Sequence, residues 1–169
     1  MTETFRFTCA TCGDLHEGPP SFGYKWPHHY AVLSEDDRKE LATISDDLCI
    51  INDQDHFIRV ILEIPIHGYE EGFLWGVWVS VSAENYWKYH ENFASPDYRD
   101  TYFGWFCNRL TYYPETLHLK TRVCIKPGGQ RPVIELESTE HPLSIDYHNG
   151  ISWEKAVKIA MHAMHGIKV

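Results

Sequence analysis

Three side chains near the start of the chain carry the sharpest chemical signal. Cys9-Ala10-Thr11-Cys12-Gly13 sets two thiols two residues apart, and His16 follows. Two thiolates at that spacing chelate one ion, and a glycine after the second lets the backbone turn tightly with its amides facing the sulfurs. Thiolate and imidazole together are soft ligands that suit zinc. The same pair could instead be a redox couple or two packed thiols. A thioredoxin-like couple opens a helix inside a βαβ unit, and Gly13 with Gly18, Pro19 and Pro20 denies it that setting.

A fourth ligand has to come from elsewhere, because no second Cys-x-x-Cys exists. Cys49, at the start of an expected strand, is the first choice, and His141, beside Pro142, is the second. Cys107 and Cys124 read as packed thiols in apolar or strand contexts. A site closed by four protein ligands is structural, whereas three ligands and a water make it catalytic. The proline-flanked segment around Cys9 has little apolar periodicity, so it needs a clamp to offset its chain entropy. The expectation is therefore a structural zinc held by Cys9, Cys12, His16 and Cys49.

The elements that must position these residues centre on Phe57 to Ser82. FIRVILEIPI, a polar loop HGYEEG and FLWGVWVSVS read as a long β-hairpin, with β-branched and aromatic residues at period two. Ile58, Val60, Leu62, Ile64, Trp75, Val77, Val79 and Val81 form one set. Arg59, Glu63, Trp78 and Ser80 face the other way, and His118, Lys120, Arg122, Glu135 and Glu137 join them if the strands pair in order. Such a face is commonly a solvated one with cross-strand charge pairs. Trp78 argues for more, since a large ring on a wet face is an anchor for binding. Arg59, Glu63, Trp78 and Arg122 are the candidate binding face.

Around the hairpin, Phe5 and Phe7 suggest a short strand. Ser34 with Asp37 opens a helix from Glu35 to about Ile44, and Asp46-Asp47-Leu48-Cys49-Ile50-Ile51 returns to a strand. Ser82 caps a helix to about Phe93, with Tyr86, His90 and Phe93 on one stripe. Ser95 to Leu110 reads as mostly loop, Thr116 to Ile125 and Val133 to Glu137 as strands. Pro142 opens a short helix ending near Asn149-Gly150, and Ser152 caps a last one with Trp153, Ala156, Val157, Ala160, Met161 and Met164 inward. His162 and His165 fall opposite that stripe, on an expected solvated face. The sum is an α+β single domain over 1–169. Residues 1–30 form the metal knuckle and aromatic loop and 31–169 the body, an antiparallel sheet of about five strands with helices on one face.

The 169 residues are 43% hydrophobic and 14% aromatic, with a formal charge of −9. That length suits one domain. The negative charge argues against nucleic acid, whose phosphates need clustered Lys and Arg, and favours a basic protein partner. No apolar stretch approaches the roughly 18 residues of a membrane helix. The opening MTETFRFTC shows no secretory pattern, and five cysteines, an odd number, fit a reducing cytoplasm.

Taken together, the segments resemble a bacterial family known as domain of unknown function 2199. The matching pieces are Cys9-x-x-Cys12-Gly13-x-x-His16-Glu17-Gly18-x-Pro20, Asp47-Leu48-Cys49, Phe57-Ile58-Arg59 with Glu63-Ile64-Pro65, and Trp75-Gly76-x-Trp78-Val79-Ser80. Tyr113-Pro114-x-Thr116-Leu117, Arg131-Pro132, His141-Pro142-Leu143 and Gly150-Ile151 follow in order. The resemblance implies a bacterial, cytoplasmic, single-domain protein and no activity. No common catalytic motif occurs. The expectation is a non-enzymatic protein-interaction module, immunity-like or regulatory, with an unidentified and basic partner. The alternative is a small-ligand binder or zinc-assisted hydrolase using the polar sheet face.

Overall fold

The computed structural model describes residues 3–166; residues 1–2 and 167–169 of the expected 1–169 unit lie outside the described residues. In chain order the strands are β1 (Arg6–Thr8), β2 (Leu15–Glu17), β3 (Ser21–Gly23), β4 (Ala42–Ile44), β5 (Leu48–Ile51), β6 (Asp55–Ile64), β7 (Phe73–Val81), β8 (Asp100–Phe106), β9 (Lys120–Ile125) and β10 (Val133–Leu136). The helices are α1 (His28–Ala31), α2 (Glu35–Leu41), α3 (Ala83–Asn92), α4 (Pro142–Asn149) and α5 (Trp153–His165).

The long hairpin forms as its alternation predicts, with β6 and β7 paired from His56–Val81 to Ile64–Phe73. The α+β class holds, but the simple antiparallel sheet does not. Strands β6, β7, β8, β9 and β10 close into a five-stranded barrel. The closing seam is parallel, Val133 opposite Ile61, and the Ile61 amide donates to the Pro132 carbonyl at 2.9 Å. Strand β6 makes this possible because it is long enough for its second edge to be shared. Asp55–Ile58 pairs with β5, which leads out to β4, and Ile61 meets β10. Strand β3 adds in parallel to β7. Closure removes sheet edges that would otherwise expose unpaired amides and carbonyls.

The helices are not confined to one face. Tyr86 and Tyr89 of α3, Leu143 of α4 and Ala156, Ile159 and Ala160 of α5 join the main core, which includes Ile58, Val60, Leu62, Val77, Val79 and Val123. Tyr30 of α1, with Leu33, packs instead on a second cluster of Cys49, Ile51, Phe57, Trp78 and Cys107. Trp78 is therefore not on a wet face. It is fully buried, because the segment carrying Tyr24, Tyr30, Leu33, Ala42 and Ile44 folds over it. Its indole N–H donates to the Tyr24 carbonyl at 3.1 Å.

Serines 34, 82 and 152 cap their helices as expected, each accepting an amide at 3.1 Å. The boundaries need four corrections. The first acidic helix stops at Leu41, where Ala42 and the β-branched pair Thr43-Ile44 join β5 instead. Asp100–Phe106, expected as loop, is a strand. Residues 116–119 form a turn before β9, with the Thr116 hydroxyl donating to the Asn108 carbonyl at 2.6 Å. The inward stripe of α3 is Tyr86 and Tyr89, leaving His90 and Phe93 exposed.

Asn108, 2% exposed, ties the covering segment to the barrel. Its Oδ1 accepts from the Trp78 amide at 2.8 Å and its Nδ2 donates to the Trp26 carbonyl at 2.9 Å. Asn108→Ala leaves both partners unsatisfied, at about 1–3 kcal/mol for each buried group. Urea unfolding should show a loss of about 2–4 kcal/mol for this variant.

Candidate metal centre

Strands β1 and β2 form a two-stranded hairpin with Phe7 opposite His16. The Cys9–Gly13 turn between them closes by two backbone bonds, Gly13 N–H to Cys9 carbonyl at 2.8 Å and Cys9 N–H to Asp14 carbonyl at 2.9 Å. Gly13 sits at φ 75°, in the left-handed region that a side chain resists, so the knuckle depends on this glycine. The His16 ring stacks on Phe7, centroids 5.2 Å apart. Its Nε2 thereby lies 3.5 Å from the Cys12 sulfur.

The remaining partner arrives from the opposite end of the chain. Helix α5 starts against the hairpin, where the Trp153 indole donates to the Arg6 carbonyl at 3.2 Å. It ends with His165, whose Nε2 is 3.2 Å from Cys9 Sγ. Cys9 Sγ, Cys12 Sγ and a ring nitrogen of His165 all lie within 4.8 Å of one another. Zinc–sulfur and zinc–nitrogen bonds of about 2.3 and 2.05 Å give a tetrahedral sulfur–nitrogen edge of roughly 3.6 Å. The two observed approaches are close to such edges. Two thiols and one imidazole are therefore grouped as three ligands of one ion require, with Cys9 buried and Cys12 and His165 exposed, while His16 stands beside Cys12 outside that group.

Local electrostatics suit a cation. Hydrogen bonding from the Cys12 amide brings the Cys9 thiol down to about 6, burial opposing it and the Thr11 amide helping. The Cys12 thiol lies above its ordinary value. There the Asp14 amide favours the thiolate, but burial and the adjacent Cys9 outweigh it. One negative sulfur thus forms readily and the second ionises when a positive ion arrives.

The other expected ligands lie elsewhere. Cys49 is fully buried opposite Phe57, among Trp78 and Cys107, and burial pushes its thiol up to about 12. It belongs to the core on the far side of β6 from the main cluster, not to the knuckle. His141 is the N-cap of α4. Its Nδ1 accepts from the Leu143 amide at 3.1 Å and its Nε2 meets the Glu115 carbonyl at 2.9 Å, so both ring nitrogens are committed. His165, expected on a solvated face, is the candidate ligand that sequence reasoning missed. Its signal is faint: an imidazole in the last turn of a helix whose first residue touches β1.

The candidate binding face is dispersed. Arg59 is half-buried, its guanidinium 5.9 Å over the Trp78 ring. The Glu63 Oε1 accepts from the Gly72 amide at 3.0 Å and pins the hairpin loop. Arg122 pairs with Glu135 across β9 and β10. A further polar group joins Tyr113, Asp146 and Lys155, with Tyr113 O–H and Lys155 Nζ each 2.8 Å from the Asp146 carboxylate. It links α4, α5 and the loop after β8.

Because His141 acts through a cap, His141→Ala should lower stability by about 1–2 kcal/mol in urea unfolding. The same variant should bind metal at the wild-type stoichiometry.

Among the described residues no helix is long and apolar enough to cross a membrane. A family model described as an uncharacterised protein conserved in bacteria matches residues 8–151. The match includes Cys9, Cys12 and His16 and ends before His165. Neither a curated protein nor a solved structure matches the chain. Spanning most of its length in one run, the match makes this chain a member of the bacterial family of domain of unknown function 2199.

Proposed function

We propose that Cys9, Cys12, His16 and His165 hold one structural zinc ion, and that the protein is a non-enzymatic protein-interaction module with a basic partner. The observation that carries the metal reading is the 3.2 Å approach of Cys9 Sγ to His165 Nε2, between residues 156 apart in sequence. Two thiols with two imidazoles form a donor set that zinc accepts as a closed tetrahedron, and a closed shell leaves no position for substrate. The ion supplies a cross-link: it fastens the β1–β2 hairpin, too short to stand alone, to the end of α5.

The partner reading rests on charge. An excess of nine acidic residues over basic ones favours encounter with a basic surface and weakens as salt screens it. A bacterial cytoplasm suits four thiols and imidazoles kept available for a metal.

Protein purified without a metal-binding tag should contain about one equivalent of zinc by elemental analysis. A strong chelator should lower its Tm by several degrees, as loss of a clamp worth a few kcal/mol requires. His165→Ala and His16→Ala should each weaken zinc binding at least about tenfold, whereas Cys49→Ser should retain it. A metal-free protein whose melting ignores chelator and zinc alike would end the structural reading. Partner capture from the native host should weaken as salt rises from about 50 to 500 mM; salt-independent capture, or tight retention on DNA, would contradict the basic-partner reading.

A further inference from the structure

A second concave site lies on the strand face opposite the main core. It is a pocket of 430 Å³ lined by His29, Asp55, Phe57, Ser80, Trp105 and His118. Phe57, Ser80 and Trp105 are successive cross-strand partners on β6, β7 and β8, so they stand side by side. Phe57 is buried at 1% exposure and makes the floor. Trp105 is 39% exposed and meets the edge of Phe103, itself 52% exposed, at 4.9 Å. Two large rings thus stay in solvent beside the cavity, an arrangement that folding alone does not favour.

The imidazoles close the other side. His29 of α1 leans on Phe57 and approaches His118, centroids 5.3 and 5.7 Å away. His118 sits at φ 66°, in the left-handed region that a non-glycine residue seldom adopts, with its amide donating to the Phe106 carbonyl at 2.7 Å. Strain of that kind persists where the surroundings hold it, here in the turn that carries the ring to the pocket. Burial, His118 and His28, against the pull of Asp55, push the His29 ring below its ordinary pKa, and its shielded Nδ1 has no hydrogen-bond partner among the described residues. Asp55 forms no ion pair among the described residues.

The chemistry of the lining is one-sided. It holds one carboxylate, one hydroxyl, two imidazoles and two aromatic faces, and neither Lys nor Arg. The carboxylate, the hydroxyl and each neutral imidazole can accept a hydrogen bond, the rings present π-electrons, and the lining's one formal charge is negative. A planar cation with several N–H donors complements them: carboxylate binds its fork, and an indole stacks on its plane. A metal ion is a weaker match, since among the described residues only Cys9, Cys12 and His165 bring three ligand atoms within 4.8 Å of one another.

We propose that this pocket is the socket for one arginine side chain of a basic partner protein. The partner half rests on the interaction reading above, and the guanidinium half on the pocket alone. Aromatic and arginine anchors in desolvated pockets dominate the energetics of protein interfaces. Lys120, the cross-strand neighbour of Trp105, brings a cation beside the mouth and opposes the ligand.

The test is an NMR titration of the full-length protein with N-acetyl-arginine methylamide, and with the neutral citrulline analogue as control. Saturable shifts are expected at the Trp105 indole and the Ser80 and His118 amides, with binding about tenfold weaker for citrulline. Asp55→Asn should weaken arginine binding by a similar factor, and Lys120→Ala should tighten it; both sites are on the surface, and retained spectral dispersion verifies folding. Equal response to the two analogues, or indifference to Asp55→Asn, overturns the guanidinium socket. So does zinc shifting the same resonances at one equivalent beyond that held by the knuckle. Host partner captured equally by wild type and by Trp105→Ala overturns the socket and leaves the interaction reading intact. Arginine binding with no salt-sensitive partner captured overturns the protein-partner half and leaves a site for a small organic cation.

Discussion

The contact between Cys9 and His165 sets the constraint that the two ends of the chain must meet. Strands β1 and β2 have three residues each, and a lone two-stranded hairpin is marginal in water. It is held by Phe5, Phe7 and Cys9, which enter the main core, by Trp153 at the start of α5, and by His165 at its end. Closing a loop of 156 residues carries a length-dependent entropy of about 4–5 kcal/mol. In the zinc reading a single ion holds that loop closed, and the burial of Phe5 and Phe7 follows from it.

The barrel answers a different constraint. Strand β6 pairs along one whole edge with β7, and its other edge is divided between β5 and β10. The same division separates the two cores. Even-numbered residues of β6 from Ile58 to Ile64 enter the main cluster with the long helices, while Phe57 enters the second with Trp78 and Cys49. Each long strand is thus apolar on both faces at one end. The outer face stays open to solvent along β8 and β9, and the aromatic pocket opens where it meets Ser80 and Trp105.

Much of this was legible where the signal is local. Alternation marked β6 and β7, serine caps marked the starts of α2, α3 and α5, and the Cys-x-x-Cys-Gly turn marked the knuckle. What failed depends on distant parts of the chain. Trp78 looks solvent-facing until residues 24–44 fold across it. Strand β8 reads DTYFGWF, with aromatic residues on both faces, so Tyr102 and Phe106 point inward and Phe103 and Trp105 outward without a polar alternation to reveal it. Cys49 resembles a ligand by type, yet its strand carries it into an apolar core where a thiolate is costly. His165 resembles a solvated helix residue because nothing near it in sequence points to Cys9.

In the zinc reading the knuckle fastens the β1–β2 hairpin to the end of α5, and the metal supports a barrel that displays an aromatic pocket. X-ray absorption at the zinc edge of the purified protein tests that claim most directly. It should show two sulfurs at about 2.3 Å and two imidazole nitrogens at about 2.0–2.1 Å, with the imidazole signal reduced in His165→Ala. A shell of two sulfurs, one nitrogen and an exchangeable water oxygen would contradict it, because an open position makes the site reactive instead of structural.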